Sequence, residues 1–179
     1  MRVITGLAKG RRLKSLSGDA VRPTSDKVKE AIFSAIQFDI EGRRFLDLFA
    51  GSGQMGIEAL SHGAASCVFV DSSKESIKIV KENIAVCGFE ESSRIVNNDF
   101  SLFLTSCKDT FDIAFLDPPY KAGLLEKALL GVSKLMSNFG IIICEHPCDV
   151  SLPEQVNGFK ITKVYRYGKI NLTLFKKEN

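Results

Sequence analysis

The chain has 179 residues, 45% hydrophobic and 25% charged, a balance that excludes a collagen, a coiled coil or a disordered tract. Its net charge of +3 is unevenly spread: Met1 to Arg22 and Lys160 to Asn179 each carry +5, and the segment between carries −7, so a polyanion met by the basic ends competes with plain solvated tails. No apolar run approaches the roughly 20 residues of a membrane span, and MRVITGLAKGRRLKS lacks the apolar core of a secretory signal.

In chain order, Arg2 to Lys14 predicts a short β-hairpin turning near Lys9-Gly10. A loop ending in Arg22-Pro23-Thr24 leads to a helix whose apolar face is Val28, Ala31, Ile32, Ala35 and Ile36, with Thr24 or Ser25 as N-cap. Strand and helix then alternate. Phe45 to Phe49 predicts a strand and Gln54 to His62 a helix stopped by Gly63. Cys67 to Val70 predicts a strand, and Ser72 with Glu75 a capping box for a helix ended by Gly88. Arg94 to Asn97 is a strand, Ser101 to Leu104 a short helix and Ile113 to Leu116 an apolar strand. Leu124 through Leu135 and Met136 form an amphipathic helix, Ile141 to Cys144 a buried strand. Phe159 to Tyr167 and Ile170 to Phe175 close the chain as a hairpin turning at Gly168-Lys169. Strands without polar alternation, separated by helices, imply a parallel sheet covered on both faces. The expected fold is a doubly wound, Rossmann-like α/β sheet with an antiparallel edge feature.

The five cysteines are odd in number, so reduced thiols and a cytoplasmic location are the default. Cys67, Cys87 and Cys107 read as small buried hydrophobes. Cys144, His146 and Cys148 lie within five residues without a second half, which is not a zinc spacing, so no metal is expected.

In sheets of this type ligands bind beyond the carboxyl ends of the strands. Four successive strands end in or near an acid: Asp47, Asp71, Asp99 and Asp117. Capping of the following helices accounts for one or two of these, while four on one rim point to a site. Asp47-Leu48-Phe49-Ala50-Gly51-Ser52-Gly53 puts glycines where backbone must approach a ligand, and Asp71 lies where a ribose-binding acid belongs. Gly51, Gly53 and Gly56 also fit a dinucleotide fingerprint, so a nucleoside cofactor follows without its identity. Asp117-Pro118-Pro119-Tyr120 is more specific. Its prolines stiffen the loop, and the Asp117 carboxylate with the Pro118 carbonyl forms a pair of fixed acceptors for a planar amino group. Tyr120 offers a face on which a base can stack.

Together, DLFAGSG, Asp71, Asn98-Asp99 and DPPY resemble the class I methyltransferases that use S-adenosylmethionine to methylate exocyclic amino groups. The segment Arg22-Pro23-Thr24-Ser25-Asp26-Lys27-Val28-Lys29-Glu30, with Gly10-Arg11-Arg12-Leu13 and Tyr167-Gly168-Lys169, narrows this to a chain that looks like the RsmD-type enzymes. The resemblance implies one methyltransferase domain over 1–179, with 1–24 as a basic extension and a seven-stranded sheet containing one antiparallel strand. It implies methylation of a guanine N2 in small-subunit (16S) ribosomal RNA or an assembly intermediate, by a monomer. Phe49, Gly51 and Gly53 would line the methionine and ribose part of the cofactor, Asp47 would be a further cofactor-binding residue, and Asp71 would hold the ribose diol. Asp99 and Phe100 would meet the adenine, and Arg22 and Thr24 the methionine carboxylate. Asp117, Pro118 and Tyr120 would hold the target base, and Arg2, Lys9, Arg11, Arg12 and Lys14 would grip phosphates. Asp71 stands where the family usually has Glu, Phe100 where it often has Ala, and Met55 where it usually has Leu. Competing readings are an amino-methyltransferase acting on DNA adenine or another RNA base, a nicotinamide-dependent oxidoreductase, and a non-catalytic RNA-binding module.

Overall fold

The computed structural model describes residues 1–16, 24–120 and 123–177. Its elements in chain order are α1 (Asp26–Ala35), β1 (Arg44–Asp47), α2 (Gln54–Ser61), β2 (Ser66–Asp71), α3 (Lys74–Cys87), β3 (Ser93–Asn97), α4 (Phe100–Ser106), β4 (Phe111–Leu116), α5 (Leu124–Ser133), β5 (Met136–Pro147), β6 (Gln155–Val156), β7 (Phe159–Tyr167) and β8 (Ile170–Lys177). The strands form one sheet in the order β3-β2-β1-β4-β5-β8-β7-β6. β1 to β5 pair in parallel, and β8 returns antiparallel between β5 and β7. The expected seven strands gain an eighth: Gln155 and Val156 pair antiparallel with Lys160 and Phe159 around the Asn157-Gly158 turn. Strands β8 and β6 therefore both run against the rest.

Side-chain alternation divides the core into two layers. On one face, Phe45, Phe69, Ile113, Phe115, Ile141 and Ile143 pack with α1, α2 and α3. On the other, Leu46, Val68, Ala114, Leu116 and Ile142 pack with α4 and α5. The strand order turns back between β1 and β4, so the loops leaving these two strands diverge around a crevice.

The periodic helices form where the apolar spacing demands them, and their ends are set by local chemistry. Ser25, rather than Thr24, caps α1 by accepting from the Val28 N–H. Ser73 caps α3 by accepting from Ser76, one residue beyond the expected Ser72 box, and Gly88 ends that helix in the left-handed region. Met136 opens β5 instead of closing α5, because the helix stops at Ser133 and the Leu135 carbonyl accepts from Phe111 of β4. Phe49 lies beyond β1. Cys67 is buried, whereas Cys87 and Cys107 are half-buried.

The expected N-terminal hairpin is short: its arms meet at the antiparallel bridge Arg2 to Arg12, and the N–H groups of Val3, Gly10 and Leu13 donate across it to the carbonyls of Arg11, Val3 and Met1. Side chains of α2 fasten this arm to the body. The buried Glu58 carboxylate accepts from the N–H groups of Ile4 and Thr5 at 3.0 to 3.1 Å. Ser61 accepts from the Ala8 N–H at 2.9 Å. At Gly6 a Cβ would sit 1.8 Å from the Ser61 carbonyl oxygen, so only glycine lets the arm lie this close. The fully buried Lys29 ammonium donates to the Arg2 carbonyl at 2.9 Å and pairs with Asp26 at 3.4 Å.

Candidate active site

The loop after β1 is shaped by its glycines. Gly51 and Gly53 have φ of +56° and +78°, and Gly53 begins α2 without a side-chain cap. The Gly51 N–H donates to Asp71 Oδ2 at 2.8 Å, and the Ser73 N–H donates to Asp71 Oδ1 at 2.8 Å. Asp71 thus fastens the end of β2 to the bend. Gly56 plays a different part. A Cβ there would stand 2.3 Å from the Phe69 ring and 2.6 Å from Cys67 Sγ, so its absence lets α2 lie against β2.

Asp47 corrects its expected place at the cofactor. It is 1% exposed, and its carboxylate accepts from the Gly56 N–H at 3.0 Å beneath α2. Burial, reinforced by the charge of Asp71, pushes its pKa up to about 7. Its contact is with the helix that carries the glycine bend.

At the β2–β3 end, Asp99 caps α4. Its carboxylate accepts from both the hydroxyl and the N–H of Ser101, which hold its pKa below the usual range. The rings of Phe49 and Phe100 lie 5.2 Å apart at 45°, so the loops after β1 and β3 meet through aromatic contact. Asp71, Asp99, Phe49 and Phe100 consequently border one stretch of the rim.

Across the switch point, Asp117 follows β4 directly. Asp47 is registered with Phe115, so the DPPY corner leaves the sheet beside the glycine bend. Pro118 is buried, Pro119 exposed, and Tyr120 65% exposed. Leu116 is registered with Cys144, which makes Asp117 and Glu145 neighbours at the ends of β4 and β5. Burial raises the Asp117 pKa well above the carboxylate range, and the charges of Glu145 and Asp47 add to it.

Glu145, passed over in the sequence between Cys144 and His146, proves to be a prominent group here. It is 7% exposed and accepts from the Thr24 hydroxyl at 3.1 Å. Thr24 is therefore turned onto β5. Glu145, Thr24, Tyr120, Tyr167 and Gly168 line a cavity of about 290 Å³ in front of α1. A second cavity of about 300 Å³, bordered by Pro119, Leu125, Pro147 and Leu152, lies on the other side of Tyr120. The signal for Glu145 was a lone acid directly after the apolar run Ile141 to Cys144. Its neighbours diverge: Cys144 is buried in the core, the His146 ring bonds Thr173 at 2.8 Å, and Cys148 lies near Arg166.

Among the expected phosphate contacts, Lys9, Arg11 and Arg12 are exposed on the arm. Lys14 is instead paired with Glu82 at 2.6 Å, and Arg2 lies 3.9 Å from Asp26. Arg22 falls outside the described residues. Among the described residues no helix is long and apolar enough to cross a membrane.

Comparison with known proteins agrees with this architecture. The chain is 41% identical to "Putative rRNA methyltransferase YlbH" of Bacillus subtilis (strain 168) over 99% of both chains. It is 37% identical to the ribosomal RNA small subunit methyltransferase D of Haemophilus influenzae, covering 72% of this chain and 68% of that one. A solved structure described as "Putative methyltransferase yhhF from Escherichia coli" superposes with a TM-score of 0.90 at 27% identity, over 99% of this chain and 98% of that one. The family described as "Conserved hypothetical protein 95" matches residues 1–176, and the chain belongs to that family.

Proposed function

We propose that this protein transfers a methyl group from S-adenosylmethionine to the exocyclic N2 amino group of a guanine in small-subunit ribosomal RNA, acting as a monomer in the cytoplasm. The observation that carries this reading is the exposed Tyr120 and the Asp117 carboxylate standing beside the glycine bend at the strand switch. The names of the relatives support the ribosomal RNA substrate.

The rim suits the cofactor. Where a Cβ on Gly51 would stand, the nearest atom is Leu16 Cδ1 at 3.9 Å, so backbone there is open to close approach. Asp71 would accept from a ribose diol and Asp99 from the adenine amino group, with Phe49 and Phe100 against the ring. When bound, S-adenosylmethionine supplies a methyl group made electrophilic by its sulfonium.

The chain's own residues would then orient the nucleophile. Guanine N2 is a poor nucleophile because its lone pair is delocalised into the ring. Asp117 and the Pro118 carbonyl would accept its two hydrogens and turn the lone pair toward the methyl carbon. Positioning of this kind is worth up to roughly 7–11 kcal/mol in ideal cases. Asp117 and Pro118 would hold N2 in line with that methyl carbon, whose departing sulfur would keep the bonding pair. The positive charge on N2 is stabilised by Asp117 and relieved when its proton passes to that carboxylate or to water. The raised Asp117 pKa suits a proton acceptor. A base inside a helix cannot reach this corner, so the target is unpaired or flipped and stacked on Tyr120. Lys9, Arg11 and Arg12 would bind phosphates.

The deciding experiment is labelled methyl transfer from S-adenosylmethionine to unmodified small-subunit particles, with mapping of the modified base. Label at N2 of one guanine is expected. Label on DNA adenine instead, or reduction of a nicotinamide cofactor without methyl transfer, would replace this reading.

A further inference from the structure

Methyl transfer leaves the basic C-terminal end without a task, although it carries as much charge as the arm. Lys160 to Asn179 hold +5, and the fold brings part of this segment back to the rim. Because β8 runs antiparallel to β5, Ile170 is registered with both Pro147 and Tyr167. The Gly168-Lys169 turn therefore stands at the same end of the sheet as the DPPY corner.

The chain has three tyrosines and no tryptophan, and the tyrosines gather here. Lys163, Tyr165 and Tyr167 alternate onto one face of β7, where both rings pack against the layer that holds α1. Tyr167 and Tyr120 line the same cavity of about 290 Å³, with Ser25 and Lys27 at the start of α1. Lys27 and Lys169 are exposed beside it. Lys163 is exposed farther along β7, its ammonium 6.0 Å from the centre of the Tyr165 ring. The acids nearby are already held. Glu145, at the back of the cavity, is 7% exposed and accepts from the Thr24 hydroxyl at 3.1 Å, and Asp39 pairs with Lys176 at 3.1 Å. Since α1 also holds the Arg2 carbonyl through Lys29, both basic ends of the chain border one helix.

Aromatic faces edged by cations suit unpaired nucleic acid, because every base has a face to stack and every step a phosphate to neutralise. Tyr120 connects this cavity to the target corner, since it lines the one and closes the other. We propose that the cavity is a second RNA subsite, in which the base next to the target guanine stacks on Tyr167 while Lys27 and Lys169 hold the phosphates around it. This rests on the methyl-transfer reading and extends it: Tyr120 takes the target base, and Tyr167 takes its neighbour.

The test uses an unpaired RNA with one guanine among uridines, its binding followed by fluorescence anisotropy. In companion strands each uridine beside the guanine is replaced in turn by an abasic ribose. Tyr167→Ala is expected to weaken binding of the intact strand by roughly five- to hundredfold, the range for one base on one ring. Tyr167→Phe keeps the ring and is expected to bind like the unaltered protein. On the strand that lacks the stacked base, the unaltered protein and Tyr167→Ala should bind alike. Lys27→Ala combined with Lys169→Ala should lower the logarithmic salt slope by about 1.4. Unchanged binding of the intact strand by Tyr167→Ala overturns the proposal. So does a loss equally large on every abasic strand, because a merely structural role would produce it. An unaltered protein that does not bind the unpaired strand overturns it as well, and an unchanged salt slope overturns the lysine contacts. Absence of label at any guanine N2 of small-subunit particles overturns the methyl-transfer reading itself, whichever way the binding series falls.

Discussion

The two halves of the rim, either side of the switch between β1 and β4, treat their acids in opposite ways. On the β2–β3 side, Asp71 and Asp99 accept from backbone N–H groups of Gly51, Ser73 and Ser101. On the β4–β5 side, Asp117 and Glu145 are brought together in a poorly hydrated corner, and Asp117 is driven toward its protonated form. The first arrangement shapes a rigid receptor at little electrostatic cost. The second holds charge under tension, which is how a proton-handling group is prepared. On the proposed reading, cofactor recognition and base chemistry would be separated by the kind of work their carboxylates do.

The sharpest way to break this contrast is Asp117→Asn, which keeps shape and removes the charge. Turnover is expected to fall by roughly 10²–10⁴-fold, with S-adenosylmethionine affinity, read by calorimetry, unchanged. On the other half, Asp71→Ala should do the reverse, because the acid pins Gly51 and is the proposed acceptor for the ribose diol. Affinity for S-adenosylmethionine should drop by about 2 kcal/mol, while the pH dependence of turnover at saturating cofactor stays as it was.

Gly56→Ala tests the packing beneath the bend. The added methyl meets the Phe69 ring and Cys67, and overpacking of this kind costs about 1–3 kcal/mol. The loss is read as a lower denaturant midpoint.

The buried acids make a pH prediction with a definite sign. The Asp47 carboxyl titrates from its ordinary 3.8 in the unfolded chain and at about 7 when folded, so the folded state holds the extra proton between these values. Stability therefore falls as pH rises through that window, and Asp117 acts in the same direction. Asp47→Asn should flatten the decline, seen in urea midpoints at pH 4, 5.5 and 7. The smallest effect is reserved for the arm. Replacing Arg11 and Arg12 by Ala should reduce the logarithmic salt slope of RNA binding by about 1.4–1.8 and leave the rate at saturating RNA unchanged.

The sequence made the alternating layers legible because apolar runs such as Ile113 to Leu116 have no polar face to expose. It also placed the acids at strand ends. Which way each acid turns was hidden, since that depends on contacts between distant segments. Asp47 reads as a rim residue until α2 folds over it and presents the Gly56 N–H. Glu145 acquires meaning only when β4 and β5 pair and bring Asp117 alongside. Met136 continued a helical spacing by coincidence, and the Phe111 pairing decided for strand. The N-terminal hairpin was legible as two arms bonded across, Val3 to Arg11 and Leu13 to Met1, but its attachment to α2 through Glu58 and Ser61 was not, since that depends on a distant segment.

The buried ammonium of Lys29 has a consequence for substrate length. One turn of α1 separates it from Ser25 and Thr24, a rise of about 6 Å, so the helix ties the Arg2 backbone to the wall of the Glu145 cavity. The arm and the base cavity are set at a constant spacing, like the jaws of a caliper. On the proposed function, an RNA gripped by the arm would deliver a nucleotide to Tyr120 only if the strand between spans that gap, so the spacing would measure the substrate.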